Sequence, residues 1–293
     1  MVPDYVKLKD IKPALAGYVR EAQIILGRAP FPDDDAVHDV RVLMKKARAV
    51  IRLTASHLDK ESFDREYGTF REVGRIMCSW RETSVHRKTL RGLKKKKPRV
   101  FSDLQDNQKL EELMQKTETE AEPSPGNDDD LSRINDLLNK AGFRIRFQSL
   151  DKLDPEKLLA ELDNSYRIVV DKYLVARNNM KAENLHEFRK KAKDFLYQLY
   201  FFRPLNPPVV KAIEKKLDAV TQNLGRYNDL SQLIWALGYK YSAKGASDAL
   251  DELVVIIRQE QDKYLSKVWS LAYKIFCPGQ KLINILGFRI LMI

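Results

Sequence analysis

The stretch VHDVR at residues 37–41 returns in altered form as LHEFR at residues 185–189, and each copy opens a run with helical spacing. The second histidine lies 148 residues after the first (186 − 38), about half of the 293-residue length. Arg81-Glu82 falls opposite Asn228-Asp229 at nearly the same spacing, 147 residues (229 − 82). Two matches at nearly the same spacing indicate an internal duplication, and therefore two similar halves.

Apolar residues recur at spacings of three and four along almost the whole chain, and strictly alternating runs are scarce. This periodicity predicts an all-α fold. The hydrophobic content of 44% is enough, at this length, to bury a full core. The pattern predicts helices at residues 9–27, 34–56, 61–92, 103–121, 130–147, 155–182, 184–203, 207–223, 228–243 and 246–274.

The helical pattern is interrupted between residues 149 and 155, where DKLDP ends in a proline that disfavours helix in the residue before it. We therefore divide the chain into residues 1–150 and 151–293, two bundles of about four helices each. The acidic, Pro-rich and Gly-containing stretch at 117–130 predicts a solvated loop inside the first half. Asn206, just before two prolines, is a candidate helix cap.

The chain is strongly basic, with a net charge of +11 and a pI near 9.4. Its expected partners are polyanions such as nucleic acid, anionic lipid or polymeric phosphate. The N-terminus lacks the features of a secretory signal, so we expect a cytoplasmic protein. The apolar stretch 283–293 is too short to span a bilayer core of about 30 Å. No membrane span is expected.

Cysteine and histidine are too few to indicate a metal centre. Cys78 and Cys277 support neither a disulfide framework nor a thiolate metal site, and we expect both to be buried and inert. The four histidines show no His-Glu-x-x-His spacing, which argues against a metal hydrolase. We expect no metal and no cofactor.

The first repeated helix carries a row of cations. On a helical wheel, Arg41, Lys45, Arg48 and Arg52 fall within about 80° of His38, and the apolar residues lie on the other side. Exposed helix faces usually mix charges, because oppositely charged pairs four residues apart stabilise them. No acid falls on this row between residues 38 and 52. Like charges at this density cost Coulomb energy unless an anion compensates, so the row predicts a polyanion site.

The second repeated helix carries a shorter row, formed by His186, Arg189, Lys190 and Lys193, with the Tyr197 hydroxyl beside it. Leu196 and Tyr200 stand where the first helix has its last two arginines. A separate run at residues 86–99 contains eight Lys or Arg and no acid, including Lys94 to Lys97. It is either an accessory polyanion surface or a solvated charged surface.

A His-x-x-Arg helix that occurs twice, followed by Arg81-Glu82 in the first half and by LGRYNDL at residues 224–230 in the second, resembles the CHAD domain, the conserved histidine α-helical domain. The resemblance covers essentially the whole chain. It rests on His38, Arg41, Lys45, Lys46, Arg48, Arg81, Glu82, His186, Arg189, Lys190, Lys193, Arg226, Asn228 and Asp229.

The resemblance implies two pseudo-symmetric four-helix bundles around a shared basic cavity. It also implies binding of inorganic polyphosphate without catalysis, and association with polyphosphate granules. The chain departs from the family pattern at Glu82, where aspartate is usual, and at Leu196, where a basic residue is lost. Glu82 and Asp229 are expected to orient arginines or to cap helices.

We therefore expect this protein to bind polyphosphate or another polyanion. Polyphosphate carries about one negative charge per phosphate, and arginine can bind its oxygens with two parallel hydrogen bonds. Protonated histidines could donate to phosphate, or could instead serve in helix packing. The expected binding residues are His38, Arg41, Lys45, Arg48, Arg52, Arg81, His186, Arg189, Lys190, Lys193, Tyr197 and Arg226.

Two other functions are compatible with these residues. A histidine phosphotransfer module also has a helix with His followed three residues later by Lys or Arg, but it favours a small residue next, where Val42 and Lys190 stand here. A nucleic-acid-binding protein would use the same cations for its phosphodiesters. The first row, however, lacks the interleaved aromatic residues that stack on exposed bases.

Overall fold

The computed structural model describes residues 10–78, 80, 82–102, 128–148, 150, 152–238 and 248–287. Within these ranges the regular structure is helical and contains no strand, which confirms the all-α class. The helix expected at 103–121 lies outside the described residues. So does most of the loop expected at 117–130, where a helix begins at Asp128. The end of the apolar stretch, residues 288–293, is also outside them.

The helices are numbered here in chain order. They are α1 (Ile11–Leu26), α2 (Asp34–Leu53), α3 (Lys60–Ile76), α4 (Glu82–Lys96), α5 (Pro98–Ser102), α6 (Asp128–Phe147), α7 (Pro155–Asn178), α8 (Ala182–Leu199), α9 (Pro207–Ala236), α10 (Asp248–Phe276) and α11 (Leu282–Leu286). Two short 3-10 helices, Ala55–His57 and Tyr200–Leu205, follow α2 and α8. The two repeated motifs thus lie near the starts of α2 and α8.

The start of α2 follows directly from its acidic sequence. The carboxylate of Asp33 accepts a hydrogen bond of 2.7 Å from the backbone N–H of Ala36, which satisfies one of the free donors of the first turn. Asp34 and Asp35 add negative charge at the positive end of the helix dipole. The motif histidine therefore stands one turn inside a well-capped helix.

Asn206 is the N-cap residue of α9, as predicted, but its side chain makes no capping hydrogen bond. Its amide Nδ2 instead donates to the carbonyl of Leu286, at 3.1 Å. The backbone at Asn206 is not helical, and Pro207 supplies the helical φ at the first position of α9. The side chain is thereby free to tie the start of α9 to the end of α11.

The structure divides two predicted helices differently. The segment predicted as one helix at 61–92 is α3 and α4, because α3 ends at Ile76. The two helices predicted at 207–223 and 228–243 are the single helix α9. Gly225 lies between the two predicted segments but inside α9, where a side chain would crowd the guanidinium of Arg189. The glycine serves a close contact and does not end the helix.

Each half of the chain contributes four long helices that pack in sequence. In the first half α1 packs on α2, α2 on α3, α3 on α6, and α6 back on α1. In the second half α7 packs on α8, α8 on α9, α9 on α10, and α10 back on α7. Helices α2 and α8 also pack on each other. One hydrophobic core runs through both sets of helices.

Helices α4 and α5 belong to the first half by sequence but pack on the second. Leu90, Leu93 and Phe101 join Leu233 of α9 and Ile257 of α10 in a second, smaller core. Apolar contacts thus cross the boundary placed at residue 150. The division into 1–150 and 151–293 stays a prediction.

No helix in the described ranges combines the length and the apolar character needed to cross a bilayer. Cys78 and Cys277 are free thiols, and both are partly exposed. The expectation that both cysteines are buried is therefore wrong. Cys78 lies just beyond the end of α3, where it accepts a hydrogen bond from Arg41 at 3.6 Å.

Phe188 is expected to be among the residues on which stability depends most. It is 0% exposed, and its ring centroid lies 5.7 Å from that of Tyr173 and 5.8 Å from that of Phe276. Phe188→Ala should lower the free energy of unfolding by about 3–5 kcal/mol, since it leaves a cavity inside an aromatic cluster. Phe147, which is 74% exposed, is the matched control. Phe147→Ala should change the same quantity by about 0.5 kcal/mol or less in urea denaturation. Equal losses would contradict this assignment of the core.

Candidate anion-binding site

The basic rows of the two repeated helices come together because α2 and α8 are neighbours. Gln198 on α8 is fully buried, and its Nε2 donates to the carbonyl of Ala49 on α2 at 3.1 Å. A helical carbonyl has a second lone pair, so it can accept this bond in addition to its own helical one. The hydrogen bond fixes the last turns of α8 against the last turns of α2. Arg48 and Arg52 lie beside this contact in the sequence.

Arg52 is held from both halves of the chain. Its Nη1 lies 2.7 Å from Oδ2 of Asp194 on α8. Its Nη2 donates to the hydroxyl of Tyr67 on α3, and its guanidinium carbon lies 4.7 Å from the centroid of that ring, in a cation–π contact. The guanidinium is therefore fixed where α2, α3 and α8 meet.

Arg48, one turn earlier on α2, is partly buried and incompletely bonded. Its Nε is buried and has no hydrogen-bond partner among the described residues. Burial lowers the pKa of Arg48, and the charges of Arg52 and Arg71 lower it further, against the effects of Tyr67 and Asp194. A buried N–H of a charged group without a partner is costly, and an anionic oxygen is the acceptor that would bind it most strongly.

Lys191 of α8 is a third partly buried cation, beside Arg48 and Arg52 of α2. Burial lowers the pKa of Lys191, and so does the nearby charge of Arg52, while Asp194 and Glu187 act in the opposite direction. Burial raises the pKa of Asp194, and Arg52, Lys191 and Arg48 lie close enough for their charges to oppose that rise. We call these three cations the central basic cluster.

Lys191 was not among the binding residues expected from the sequence. It stands about 140° from His186 on the helical wheel, which placed it away from the predicted row. The wheel could not show which face of α8 packs near α2. The run Arg189-Lys190-Lys191 was the available signal, because three adjacent cations on one helix necessarily spread over more than one face.

The motif arginines of the two repeats have similar roles. Arg41 donates from Nη1 to the carbonyl of Met77, just past the end of α3, at 3.4 Å. Arg189 donates from Nε to the carbonyl of Thr221 on α9 at 3.2 Å. A Cβ added at Gly225 would lie 3.2 Å from that Nε, so the helix accommodates Arg189 by having no side chain there. Each arginine ties its histidine helix to the following long helix.

The two motif histidines have different surroundings. His38 is exposed near the start of α2. His186 is partly buried, and its Nδ1 lies 3.3 Å from Oδ1 of Asn228. Burial lowers the pKa of His186, as does the charge of Arg189, and Asn228 opposes them. In the free protein this imidazole is therefore mostly neutral at pH 7. Across the described ranges, His, Cys, Asp and Glu form no group of three suited to a metal ion.

The other predicted residues of α8 have carboxylate partners. Lys190 lies 2.7 Å from Glu187, and Lys193 lies 3.1 Å from Asp218. The ammonium of Lys193 also lies 5.4 Å from the ring centroid of Tyr197. Tyr197 is only 5% exposed, and burial raises its pKa. Its ring supports Lys193, and little of it is accessible to a ligand.

The remaining predicted residues are more scattered. Lys45 is partly buried on α2. Arg226 is exposed on α9, with its guanidinium 5.7 Å from the ring centroid of Tyr264. Arg81 lies outside the described residues. In the run at 86–99, Lys94 to Lys97 are exposed, and Lys96 lies 2.9 Å from Glu260, which raises the pKa of Lys96 against the effect of Arg226.

Comparison with protein-family models identifies the fold that carries this site. Residues 19–237 match the model of the CHAD domain. The chain belongs to the CHAD domain family. The match includes both His-x-x-Arg helices and every member of the central basic cluster, whereas α10 and α11 lie beyond it. A comparison with curated proteins found no significant match.

Lys191 of this CHAD domain should destabilise the free protein. Its pKa is lower when folded than when unfolded, so below both values the charged form favours the unfolded chain. Lys191→Met should therefore raise the free energy of unfolding at pH 7 and low salt, by on the order of 1 kcal/mol. The gain should shrink at high salt.

Lys140 provides the control, since it is exposed and lies 2.7 Å from Asp136 one turn earlier. Lys140→Met should produce no gain, because an exposed pair contributes little. Thermal unfolding in low and high salt measures both variants. A lower unfolding midpoint for Lys191→Met would show that its charge stabilises the fold.

Proposed function

We propose that this CHAD domain binds inorganic polyphosphate and catalyses no reaction on it. The observation that carries the proposal is the central basic cluster, in which Arg48 and Arg52 of one repeat meet Lys191 of the other. The buried, unbonded Nε of Arg48 adds a donor suited to an anionic oxygen. The CHAD family is associated with polyphosphate, which agrees with this chemistry.

Polyphosphate suits the cluster better than a single phosphate does. It presents about one negative charge per phosphate along a flexible chain, so consecutive units could reach consecutive cations. The cluster is partly buried, and charges interact more strongly there than on an open surface. His38, Lys45 and Lys190 would extend the binding surface along α2 and α8.

We further propose that the two halves are pseudo-symmetric bundles and that α2 and α8 form two walls of one basic cavity. This is supported by the packing of α2 on α8 and by the matching contacts of Arg41 and Arg189 with the helices that follow them. A protein with such a site would collect at polyphosphate granules.

The test compares two variants that remove the same charge from different places. Arg48→Met/Lys191→Met removes one arginine and one lysine from the cluster. Long-chain polyphosphate should bind this variant at least about ten-fold more weakly, and its affinity should depend less steeply on salt, because fewer counterions are released. Isothermal titration at several salt concentrations measures both quantities.

Lys140→Met/Arg167→Met is the matched control, since both residues are exposed and each lies close to an acid one turn away. It should lose about three-fold or less in affinity, through net charge alone. Equal losses in the two variants would mean that polyphosphate binds to diffuse surface charge. Equal or tighter binding of single-stranded RNA by the unmodified protein would contradict selectivity for polyphosphate.

A further inference from the structure

An acid stands inside the proposed site. Oδ2 of Asp194 lies 2.7 Å from Nη1 of Arg52, and the side chain of Asp194 is only 19% exposed. Its neighbours Arg52, Lys191, Arg48 and Lys190 all influence it electrostatically. A carboxylate oxygen and a phosphate oxygen bind a guanidinium in the same way. Asp194 therefore forms an ion pair with a guanidinium that a phosphate would also bind.

The other carboxylates beside α8 differ from Asp194 in position. The side chains of Glu187 and Asp218 are 43% and 44% exposed, and each is paired with one lysine. Asp194 interacts with cations from both α2 and α8. Only Asp194, of these three acids, bonds a member of the central basic cluster.

Burial and the neighbouring cations have opposite effects on the pKa of Asp194. Burial raises the pKa of Asp194, and the surrounding cations act in the opposite direction without cancelling that effect. An anion brought to Arg52 meets the negative charge of Asp194 as well as the positive charges of the cluster. A ligand with a single contact gains little, since it exchanges one ion pair for another.

We propose that Asp194 competes with phosphate ligands for Arg52, because its carboxylate holds the guanidinium until a ligand with several adjacent phosphates displaces it. The inference rests on the proposed polyphosphate function. A phosphate chain can contact Arg48 and Lys191 at the same time as Arg52, and these contacts offset the cost of displacing Asp194. That cost is the same for a short chain and for a long one, so both should bind more tightly once the charge of Asp194 is removed.

The test is Asp194→Asn, which keeps the shape of the side chain and removes its charge. Tripolyphosphate should bind this variant at least about ten-fold more tightly than it binds the unmodified protein, because one more cation is free. Long-chain polyphosphate should gain by a similar factor, since it too no longer has to displace the acid. Both affinities are measured by titration at one salt concentration.

Glu187→Gln is the matched control, because it also neutralises one acid of α8. It should improve the binding of both ligands by about three-fold or less, through net charge alone. If Asp194→Asn weakens the binding of both ligands, or improves it no more than Glu187→Gln does, Asp194 does not compete with them and the inference is wrong. If the unmodified protein does not bind long-chain polyphosphate, the proposed function itself fails.

A measurement on the unmodified side chain guards against poor folding of Asp194→Asn. Because burial raises the pKa of Asp194, lowering the pH from 7 to 4 protonates a substantial fraction of this side chain and thereby releases Arg52. The charged and titratable groups that face Asp194 are Arg48, Arg52, Lys190 and Lys191, with Tyr67 and Arg71 nearby on α3. Trimetaphosphate is the ligand for this measurement, because it has no weakly acidic hydroxyl group and keeps its charge over this range.

Trimetaphosphate should therefore bind at least about three-fold more tightly at pH 4 than at pH 7. His186 also gains a proton as the pH falls, so the same measurement is made on His186→Asn, in which the gain should persist. Affinity that stays flat or falls with pH would overturn the role of Asp194.

Discussion

The structure depends on the contact between α2 and α8, the two helices that carry the repeated motif. Gln198 bonds the backbone of α2, and Asp194 bonds Arg52, so one neutral and one charged contact hold the helices together. Every member of the central basic cluster lies on one of these two helices. The contact thus serves the fold and the site together, and it sets the spacing of cations that a ligand would meet.

Keeping like charges close together costs the free protein stability, and the structure limits that cost in two ways. Arg52 is shared between a carboxylate and an aromatic ring, while Lys190 and Lys193 have acids of their own. Arg48 and Lys191 retain lowered pKa values, which marks where the compensation is incomplete. Incomplete compensation is characteristic of binding sites, where a ligand supplies the missing interaction.

Periodicity and capping predict much of the fold, but they predict less of the candidate site. The acidic start of α2 and the all-α class were predictable, because they depend on neighbouring residues. The continuity of α9 was not, since Gly225 lies inside that helix to accommodate Arg189, a residue 36 positions away. Lys191 and Asp194 were missed for a related reason: a helical wheel shows which residues share a face but not which helix that face will meet. The family resemblance supplied the proposed ligand, which charge alone left open.

The packing of α4 and α5 on α9 and α10 bears on where this chain can be cut. Leu93 and Phe101 share an apolar cluster with Leu233 and Ile257. A fragment that ends at residue 150 would expose the apolar side chains of α4 and α5, and a fragment that begins at residue 151 would expose those of α9 and α10. Each fragment carries the cover that the other lacks, so separated fragments would present complementary sticky surfaces and recombine or aggregate.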